Sequence, residues 1–287
     1  MQFFSSEVDR QIRQLIRQCG QQARQLAQEH YRVSQKGPDD YVTSVDRELD
    51  RQLSAGFSLL FPEDGTITEE NERSRAAFTA GYRNLWCIDP LDGTEGFIHG
   101  EPHYAVMVGL LHELQPVAGW IYAPATDELF YGDGDRGLWQ TRGDGDPQTL
   151  DPVEPLAPAR TDRRMVIGDK DERNFGEAIA RQIPGGVEFY SLGSFGLKVM
   201  EVICGRAGLY IYLNGRVKVW DTAGPVALAR AAGLTCCDLD GNPLSFDPEA
   251  IAPDTLAHLQ PILIGWPSYI EAWRSPIREA VLATSRP

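Results

Sequence analysis

The sequence lacks the marks of several large protein classes. No uninterrupted apolar run approaches the roughly 20 residues that a membrane-spanning helix needs. The first residues, MQFFSSEVDRQIRQL, show no positively charged segment followed by an apolar core, as a secretory signal peptide would. The phosphate-loop pattern G-x-x-x-x-G-K-[ST] does not occur, which argues against a nucleotide site of that class. We therefore expect a cytoplasmic protein without a membrane partner.

Cysteine and positive charge are also scarce. The five cysteines are scattered and form neither a C-x-x-C pair nor zinc-like spacing with the five histidines, so we expect buried thiols in a reducing compartment. Acidic residues number 41 against 27 Lys and Arg, which gives a net charge of −14. That average field repels nucleic-acid polymers. It suits a protein that concentrates divalent cations, and it equally fits a solvated acidic surface.

Hydrophobic periodicity predicts helices at the start of the chain and a strand-rich stretch after them. Apolar steps of three and four residues predict a long helix over 8–31. Thr43 or Ser44 can cap a second helix whose apolar face runs over 45–60. Short apolar runs between Gly and Asp clusters then predict strands at 85–88, 104–111, 117–122, 129–131 and 138–141.

The region 143–160 divides the chain into two predicted domains. It is rich in Pro, Gly and Asp, and beyond it strands and helices alternate. We expect an α+β domain over 1–150 that carries most of the candidate metal ligands. We expect an α/β domain over 151–287 that contributes Asp221 and the substrate-specificity side. The length of 287 residues, 42% of them hydrophobic, is sufficient for one large domain or two modest ones.

The densest chemical signal is the segment WCIDPLDGT at 86–94. An apolar strand runs into two carboxylates, Asp89 and Asp92, and then into Gly93 and Thr94. Phosphoryl transfer from a monoester depends chiefly on neutralising charge that spreads over the phosphate oxygens. Carboxylate oxygens bind hard divalent cations, which supply that neutralisation and activate water. A helix after Gly93 would direct backbone N–H groups at a phosphate. A plain turn between two strands is the alternative.

Three further acidic segments accompany this one. Asp40 and Asp46 flank the start of the second predicted helix, where helix capping is the alternative explanation. Glu69 and Glu70 are adjacent acids in what is otherwise a polar loop. Asp221 opens a predicted helix of small residues, where capping is again the alternative.

Together, the four segments resemble the inositol monophosphatase-like superfamily of magnesium-dependent, lithium-sensitive phosphatases. D-x-V-T-x-x-D, a Glu pair, W-x-x-D-P-[IL]-D-G-T and W-D-x-A-G occur in the order of that superfamily, and the resemblance runs from about Val8 to the last helix. Thr68 replaces the glycine that usually precedes the Glu pair. The resemblance implies a phosphoric monoester hydrolase with a layered α/β/α/β/α sandwich, two or three Mg²⁺ ions and a homodimer.

The resemblance also implies roles for individual residues. Four carboxylates and one backbone carbonyl would bind metal: those of Glu69, Asp89, Asp92 and Asp221, and that of Leu91. Glu69 and Thr94 would position and deprotonate the attacking water, with Asp46 acting behind Thr94. The backbone amides of Gly93 and Thr94 would hold the phosphate, and Asp40 would support a third metal. Water would attack phosphorus in line, without a phosphoenzyme.

Within the superfamily, the sequence looks most like the 3′(2′),5′-bisphosphate nucleotidases. DPLDGTEGFI at 89–98 is similar to their D-P-[IL]-D-G-T-K-x-F pattern, with Glu95 where many of them carry lysine. GSFGLK at 193–198 resembles their G-S-x-x-K segment, with one extra residue before the lysine, so Lys198 could meet a second phosphate, a surface lysine being the alternative. Asn214 stands where inositol monophosphatases usually place a glutamate that binds inositol hydroxyls. Asparagine in place of this glutamate favours a substrate other than an inositol phosphate.

We therefore expect a nucleotidase that removes the 3′-phosphate of adenosine 3′,5′-bisphosphate, a small phosphorylated metabolite. Substrate contacts would come from Gly93, Thr94, Lys198, Asn214 and Asp221. An inositol monophosphatase or a sugar (bis)phosphatase is the alternative within the superfamily. A non-catalytic interaction module is an alternative of another class, but it would be expected to have lost a ligand acid, and none is missing.

Overall fold

The computed structural model describes residues 5–37, 40–156 and 163–284, and within these ranges the side chains of Lys36 and Asp40 lie outside the described set. The chain forms two compact units. The first comprises Met1–Leu150, Gly193–Leu197 and Val219–Ala231, and the second comprises Asp151–Leu192, Lys198–Lys218 and Ala232–Pro287. Two short segments of the first unit therefore interrupt the second.

Helices and strands are interspersed along the chain, except for a run of consecutive strands in the first unit. The α-helices are α1 (Ser6–Leu26), α2 (Ser44–Leu60), α3 (Thr94–Ile98), α4 (Asp169–Asp171), α5 (Glu177–Gln182), α6 (Phe195–Ile203), α7 (Val219–Ala231) and α8 (Pro267–Thr284). The strands are β1 (Val33–Gly37), β2 (Asp40–Thr43), β3 (Gly65–Thr68), β4 (Asn84–Asp92), β5 (Ala105–His112), β6 (Gln115–Ala123), β7 (Glu128–Asp133), β8 (Gly137–Arg142), β9 (Gln148–Thr149), β10 (Arg164–Ile167), β11 (Glu188–Tyr190), β12 (Leu209–Tyr212), β13 (Thr235–Cys237) and β14 (Ile262–Gly265).

The first helix, α1, is amphipathic as predicted but shorter. Ser5 caps it by accepting a hydrogen bond from the Val8 amide at 3.3 Å. The predicted helix extends to Tyr31, whereas α1 ends at Leu26. Tyr31 lies beyond the helix, and its ring centroid is 5.3 Å from that of Phe97. Packing of this aromatic ring against the first unit outweighs its place in the helical period.

The second helix, α2, begins at a cap that its sequence predicts. The Thr43 hydroxyl accepts hydrogen bonds from the Val45 and Asp46 amides, and the Asp46 carboxylate accepts one from the Thr43 amide at 2.9 Å. This reciprocal capping box fixes the Asp46 side chain at the first turn of the helix.

A seven-stranded sheet, in the order β3 to β9, forms the centre of the first unit. β3 and β4 are parallel, and the other neighbours are antiparallel. The five strands predicted between 85 and 141 correspond to β4 through β8, each within a few residues of its predicted bounds. β3 was not predicted, because four residues beside an acidic loop carry little local signal and are held by pairing with β4.

Helices cover both faces of this sheet. Val108 of β5 belongs to the apolar cluster that includes α1 and α2. Because successive side chains point to opposite faces, Gly109 faces the other side. There α7 crosses β5 and β6, and a Cβ on Gly109 would lie only 2.2 Å from the Gly224 nitrogen. A Cβ on Gly119 would likewise lie 2.3 Å from the Gly224 oxygen.

This close packing assigns α7, and with it Asp221, to the first unit. The predicted division at 150/151 put Asp221 in the second half of the chain. The structure instead groups Val219–Ala231 with 1–150, because the glycine of α7 sits directly on the backbone of β5 and β6. The position of α7 along the chain does not reveal that this helix packs against the sheet of the first unit.

The second unit is built on a five-stranded sheet in the order β11-β10-β12-β14-β13. β10 is parallel to β11 and β12, whereas β14 is antiparallel to β12 and β13. Between β10 and β11, α4 begins at Asp169 and is followed by a π-helical turn at Glu172–Gly176, which leads into α5. Sheets and helices in both units confirm the predicted α/β class.

Candidate active site

Three carboxylates of the first unit converge. Glu69, Asp89 and Asp221 each offer an oxygen within 4.8 Å of the others. Glu69 directly follows β3, and its amide donates to the Ile88 carbonyl at 3.2 Å, which continues the β3–β4 pairing and brings it beside Asp89. Asp221 comes from the first turn of α7. Of the four acidic segments that resemble the superfamily's motifs, three supply this cluster.

The electrostatics of the cluster favour a cation. Asp89 is 1% exposed. Burial, followed by the like charges of Glu69, Asp92 and Asp221, raises the pKa of Asp89 well above its usual range. A hard divalent cation bound by carboxylate oxygens would offset this repulsion, so the donor set fits Mg²⁺.

Asp92 lies at the end of β4 and has a different environment. Its Oδ2 accepts hydrogen bonds from the Ser194 hydroxyl and from the Gly196 amide at 3.0 Å. The Ser194 hydroxyl also accepts from the Leu197 amide at 3.1 Å, so the start of α6 is built around this carboxylate. Asp92 is not among the three acids that share the 4.8 Å cluster, although its charge acts on Asp89.

A tight turn connects these acids to α3. The Leu91 amide donates to Asp89 Oδ1 at 2.9 Å. Gly93 has φ 91°, a left-handed conformation that favours glycine, and a Cβ there would lie 2.9 Å from the His103 carbonyl oxygen. α3 begins at the next residue, Thr94, as the sequence predicts for a helix after Gly93.

The Thr94 hydroxyl lies between two acceptors. Asp46 Oδ1 is 3.0 Å from Thr94 Oγ1, and the Leu91 carbonyl oxygen is 2.9 Å from it. A hydroxyl has one hydrogen, so it donates to one of them at a time. The other Asp46 oxygen accepts from Thr43, so the capping box of α2 orients this carboxylate towards Thr94. Burial raises the pKa of Asp46, and the hydrogen bonds from Thr43 and Thr94 oppose that shift.

The structure places Lys198 and Asn214 in the second unit, so neither belongs to the carboxylate cluster. Lys198 is 8% exposed, and its Nζ lies 5.8 Å from the Tyr210 ring centroid. The alternative of a surface lysine is therefore wrong. Asn214 is half-buried, and its side-chain oxygen accepts from the Arg216 amide at 3.2 Å.

Some contacts were not predicted. Ser194 lies in the segment that suggested Lys198, but its bond to Asp92 joins residues 102 positions apart. Arg75 follows the Glu pair, and its guanidinium carbon lies 5.6 Å from the Trp220 ring centroid, next to Asp221. Neither contact leaves a local pattern in the sequence.

Comparison with known proteins agrees with this geometry. The sequence model of the inositol monophosphatase family matches residues 5–265. The chain belongs to the inositol monophosphatase family. Membership makes it a metal-dependent phosphatase, a phosphoric monoester hydrolase, as the acidic motifs predict.

Curated relatives within the family carry more than one name. The inositol-1-monophosphatase of Bacillus subtilis is 25% identical over 242 residues, which cover 84% of this chain and 89% of that protein. The 3′(2′),5′-bisphosphate nucleotidase CysQ of Haemophilus influenzae is 27% identical over 270 residues, which cover 92% of this chain and 94% of that protein.

Solved structures confirm the fold expected of the family. The Thermotoga maritima IMPase superposes with a TM-score of 0.79 at 22% identity, over 98% of this chain and all of that one. At this identity the likeness establishes the fold alone, and the predicted layered α/β architecture is confirmed. None of the helices in the described ranges has the length and hydropathy needed to cross a bilayer.

Proposed function

We propose that this family member is a magnesium-dependent 3′(2′),5′-bisphosphate nucleotidase that removes the 3′-phosphate of adenosine 3′,5′-bisphosphate. The observation that carries the reaction class is the cluster of Glu69, Asp89 and Asp221, in which Asp89 is buried and the other two acids are partly exposed. The nucleotide is supported by Lys198 and Asn214 in the second unit and by the likeness to CysQ along nearly the full length of both chains.

The acids of the first unit would hold the cation. Glu69, Asp89 and Asp221 would be carboxylate ligands, with Asp92 and the Leu91 carbonyl completing the set. When bound, Mg²⁺ neutralises charge on the phosphate and leaving oxygens and lowers the pKa of water. The backbone amides of Gly93 and Thr94 would bind the phosphate, at a turn where Gly93 carries no side chain.

Thr94 would orient the attacking water, and Glu69 would accept its proton. When the Thr94 hydroxyl donates to Asp46, its oxygen lone pair is left to accept a hydrogen bond from water and to orient it. The Glu69 carboxylate would accept the proton as the water oxygen forms its bond to phosphorus. The ester P–O bond breaks on the opposite side, and the leaving oxygen gains a proton from solvent.

Lys198 and Asn214 would select the ester. The ammonium of Lys198 would bind the second phosphate of a bisphosphate nucleotide. Asn214 offers a neutral amide where an inositol-binding glutamate is usual, and an amide both donates and accepts hydrogen bonds. Hydrolysis of inositol 1-phosphate is the second candidate function, because this amide can still bind a hydroxyl.

Phosphate release tests the proposal directly. The protein is incubated with Mg²⁺ and adenosine 3′,5′-bisphosphate, inositol 1-phosphate or fructose 1,6-bisphosphate, with and without Li⁺. Preferential release from the nucleotide, abolished by Asp89→Asn, is the expected result. Preference for inositol 1-phosphate would assign the second function, and no release from any of them would overturn the nucleotidase and inositol phosphatase assignments together.

A further inference from the structure

A short 3₁₀ helix, Glu72–Thr79, follows the loop that carries Glu69, and the reaction described above gives it no role. Asn71 caps this helix by accepting a hydrogen bond from the Arg73 amide at 3.2 Å. Phe78, near the other end, is 5% exposed. The helix is therefore held at both ends within the first unit.

Ser74 of this helix closes the loop around Glu69. Its hydroxyl oxygen accepts a hydrogen bond from the Thr68 amide at 3.0 Å and donates to the Asn71 carbonyl at 2.6 Å. Thr68 directly precedes Glu69, and Asn71 directly follows the Glu pair. One side chain thus bonds to the backbone on both sides of the metal-ligand candidate.

Arg75, the next residue, lies against the helix that carries Asp221. Its guanidinium carbon is 5.6 Å from the ring centroid of Trp220, which is 0% exposed and directly precedes Asp221 in α7. Neighbouring side chains of a 3₁₀ helix point about 120° apart, because such a helix has three residues per turn. Ser74 and Arg75 therefore contact two different elements, the end of β3 and the start of α7.

These two contacts connect acids that are far apart in the sequence. The Ser74 hydroxyl holds the loop of Glu69, and the Arg75 guanidinium packs on the residue beside Asp221. Consecutive residues have Cα atoms only about 3.8 Å apart. The Glu69 loop and the first turn of α7 therefore cannot separate unless one of the two contacts breaks.

We propose that Ser74 and Arg75 are positioning residues that set the separation between the Glu69 and Asp221 carboxylates, and thereby make the site prefer Mg²⁺ to the larger Ca²⁺. Mg²⁺ demands near-octahedral geometry at about 2.0–2.1 Å, whereas Ca²⁺ accepts flexible arrangements at about 2.3–2.6 Å. Loss of a fixed separation therefore weakens Mg²⁺ binding more than Ca²⁺ binding. This inference rests on the metal ligands of the proposed function and not on the nucleotide.

Calorimetric titration of the protein with Mg²⁺ and, separately, with Ca²⁺ tests the Ser74 contact. Ser74→Ala removes the hydroxyl that closes the Glu69 loop, so the Kd for Mg²⁺ should rise about tenfold. The Kd for Ca²⁺ should change by less than about threefold. Ser74→Thr keeps a hydroxyl and should restore Mg²⁺ binding. Ser58→Ala, at an exposed serine of the same unit, is the matched control and should bind both ions as the wild type does.

Arg75→Met tests the other contact, and the sign of its effect is informative. Removing a positive charge near an acidic site would by itself strengthen the binding of a cation. Loss of the packing on Trp220 should instead weaken it, so we expect the Kd for Mg²⁺ to rise about tenfold. Arg73→Met is the matched control, because Arg73 is an exposed arginine of the same helix. It removes the same charge and should not weaken Mg²⁺ binding.

Unchanged or tighter Mg²⁺ binding in either variant would overturn the proposal, and Arg75→Met decides it even if Ser74→Ala does not fold. Equal losses of Mg²⁺ and Ca²⁺ binding would also overturn it, because a general loss of structure affects both ions alike. If the wild type binds Mg²⁺ but releases no phosphate from the nucleotide, the nucleotidase assignment fails, whereas the titrations still decide the roles of Ser74 and Arg75. A wild type that binds no Mg²⁺ would overturn the metal ligands and the positioning roles together.

Discussion

Gly224 of α7 lies against Gly109 of β5 so closely that neither residue has room for a side chain. A Cβ on Gly109 would lie 2.2 Å from the Gly224 nitrogen, and one on Gly224 would lie 2.5 Å from the Val108 carbonyl oxygen. Asp221 is less than one helical turn from Gly224. Backbone packing between α7 and the sheet thus sets the depth at which Asp221 meets Glu69 and Asp89.

Gly109→Ala should weaken both the fold and metal binding. The added methyl group forces α7 away from β5, and overpacking of this kind costs about 1–3 kcal/mol. The same movement carries Asp221 away from the other two acids. Chemical unfolding should show the lower free energy of unfolding, and the rise in melting temperature on adding Mg²⁺ should shrink.

Gly134→Ala is the matched control, because Gly134 is exposed and its Cβ would have no neighbour within 4 Å among the described residues. A Gly109→Ala protein with wild-type stability and a full response to Mg²⁺ would show that α7 does not set the position of Asp221.

Asp89→Asn should make the stability of the protein independent of Mg²⁺. The change removes one of several mutually repelling charges, so the variant without Mg²⁺ should be at least as stable as the wild type. Turnover should fall by roughly two orders of magnitude or more, and Mg²⁺ should no longer raise the melting temperature. Glu63→Gln, which alters an exposed acid of the same unit, should keep both properties. Near-wild-type turnover in Asp89→Asn would refute its role as a ligand.

Thr94→Val should lower kcat by about a hundredfold or more, because valine has a similar shape but cannot orient water or bond to Asp46. Thr94→Ser restores the hydroxyl and should recover most of the activity. Steady-state kinetics with the best of the three esters measures both. Equal losses in the valine and serine variants would mean that the methyl group of Thr94 matters as much as its hydroxyl, which would contradict the role assigned to the hydroxyl.

Ser194→Ala should weaken Mg²⁺ binding without abolishing catalysis. Asp92 would lose one of the donors that orient its carboxylate, and removal of such an outer partner typically costs about tenfold or more in metal affinity. Calorimetric titration with Mg²⁺ gives the affinity directly. Ser191→Ala is the control, since the Ser191 hydroxyl donates to the adjacent Leu192 carbonyl. Unchanged affinity in Ser194→Ala would limit this serine to capping α6.

His258 should make the second unit sensitive to acid. It is 1% exposed, and burial lowers its pKa from 6.5 to about 4. The unfolded chain therefore binds more protons than the folded one between these values. The stability that neutral His258 contributes is complete above about pH 6.5 and is lost as the pH falls through 4, with about 2 kcal/mol gone by pH 5.

Urea unfolding at pH 7.5 and pH 5 measures this loss. In His258→Gln the difference between the two pH values should be smaller than in the wild type by about that amount. His99→Gln, at an exposed histidine, should leave the difference unchanged. An identical pH dependence in the His258 variant would contradict the assignment.

The sequence was sufficient to predict what depends on local chemistry. The Thr43 cap, the helix after Gly93 and the strand that ends in Asp89 and Asp92 all follow from residues next to one another. Long apolar strands and amphipathic helices were found within a few residues for the same reason. The convergence of Glu69, Asp89 and Asp221 came from resemblance to a family, because no local rule brings together residues so far apart.

What the sequence could not predict depends on contacts between distant elements. β3 exists because β4 pairs with it, Tyr31 leaves α1 to reach Phe97, and Ser194 meets Asp92 across 102 positions. Nothing in the sequence indicates that Asp171 is buried, because an acid in a short polar run is typical of an exposed position. Its burial is evident only when Leu213 is placed beside it.

The chain passes between its two units five times, and this has a consequence for synthesis on the ribosome. The 1–150 segment emerges with Glu69 and Asp89 already in place, but α7 and Asp221 belong to the same unit and are translated much later. Until α7 has been translated, the face of β5 and β6 that α7 covers remains exposed in the nascent first unit. A stop codon anywhere before residue 219 would therefore yield a chain that has most of its acids and no complete metal cluster.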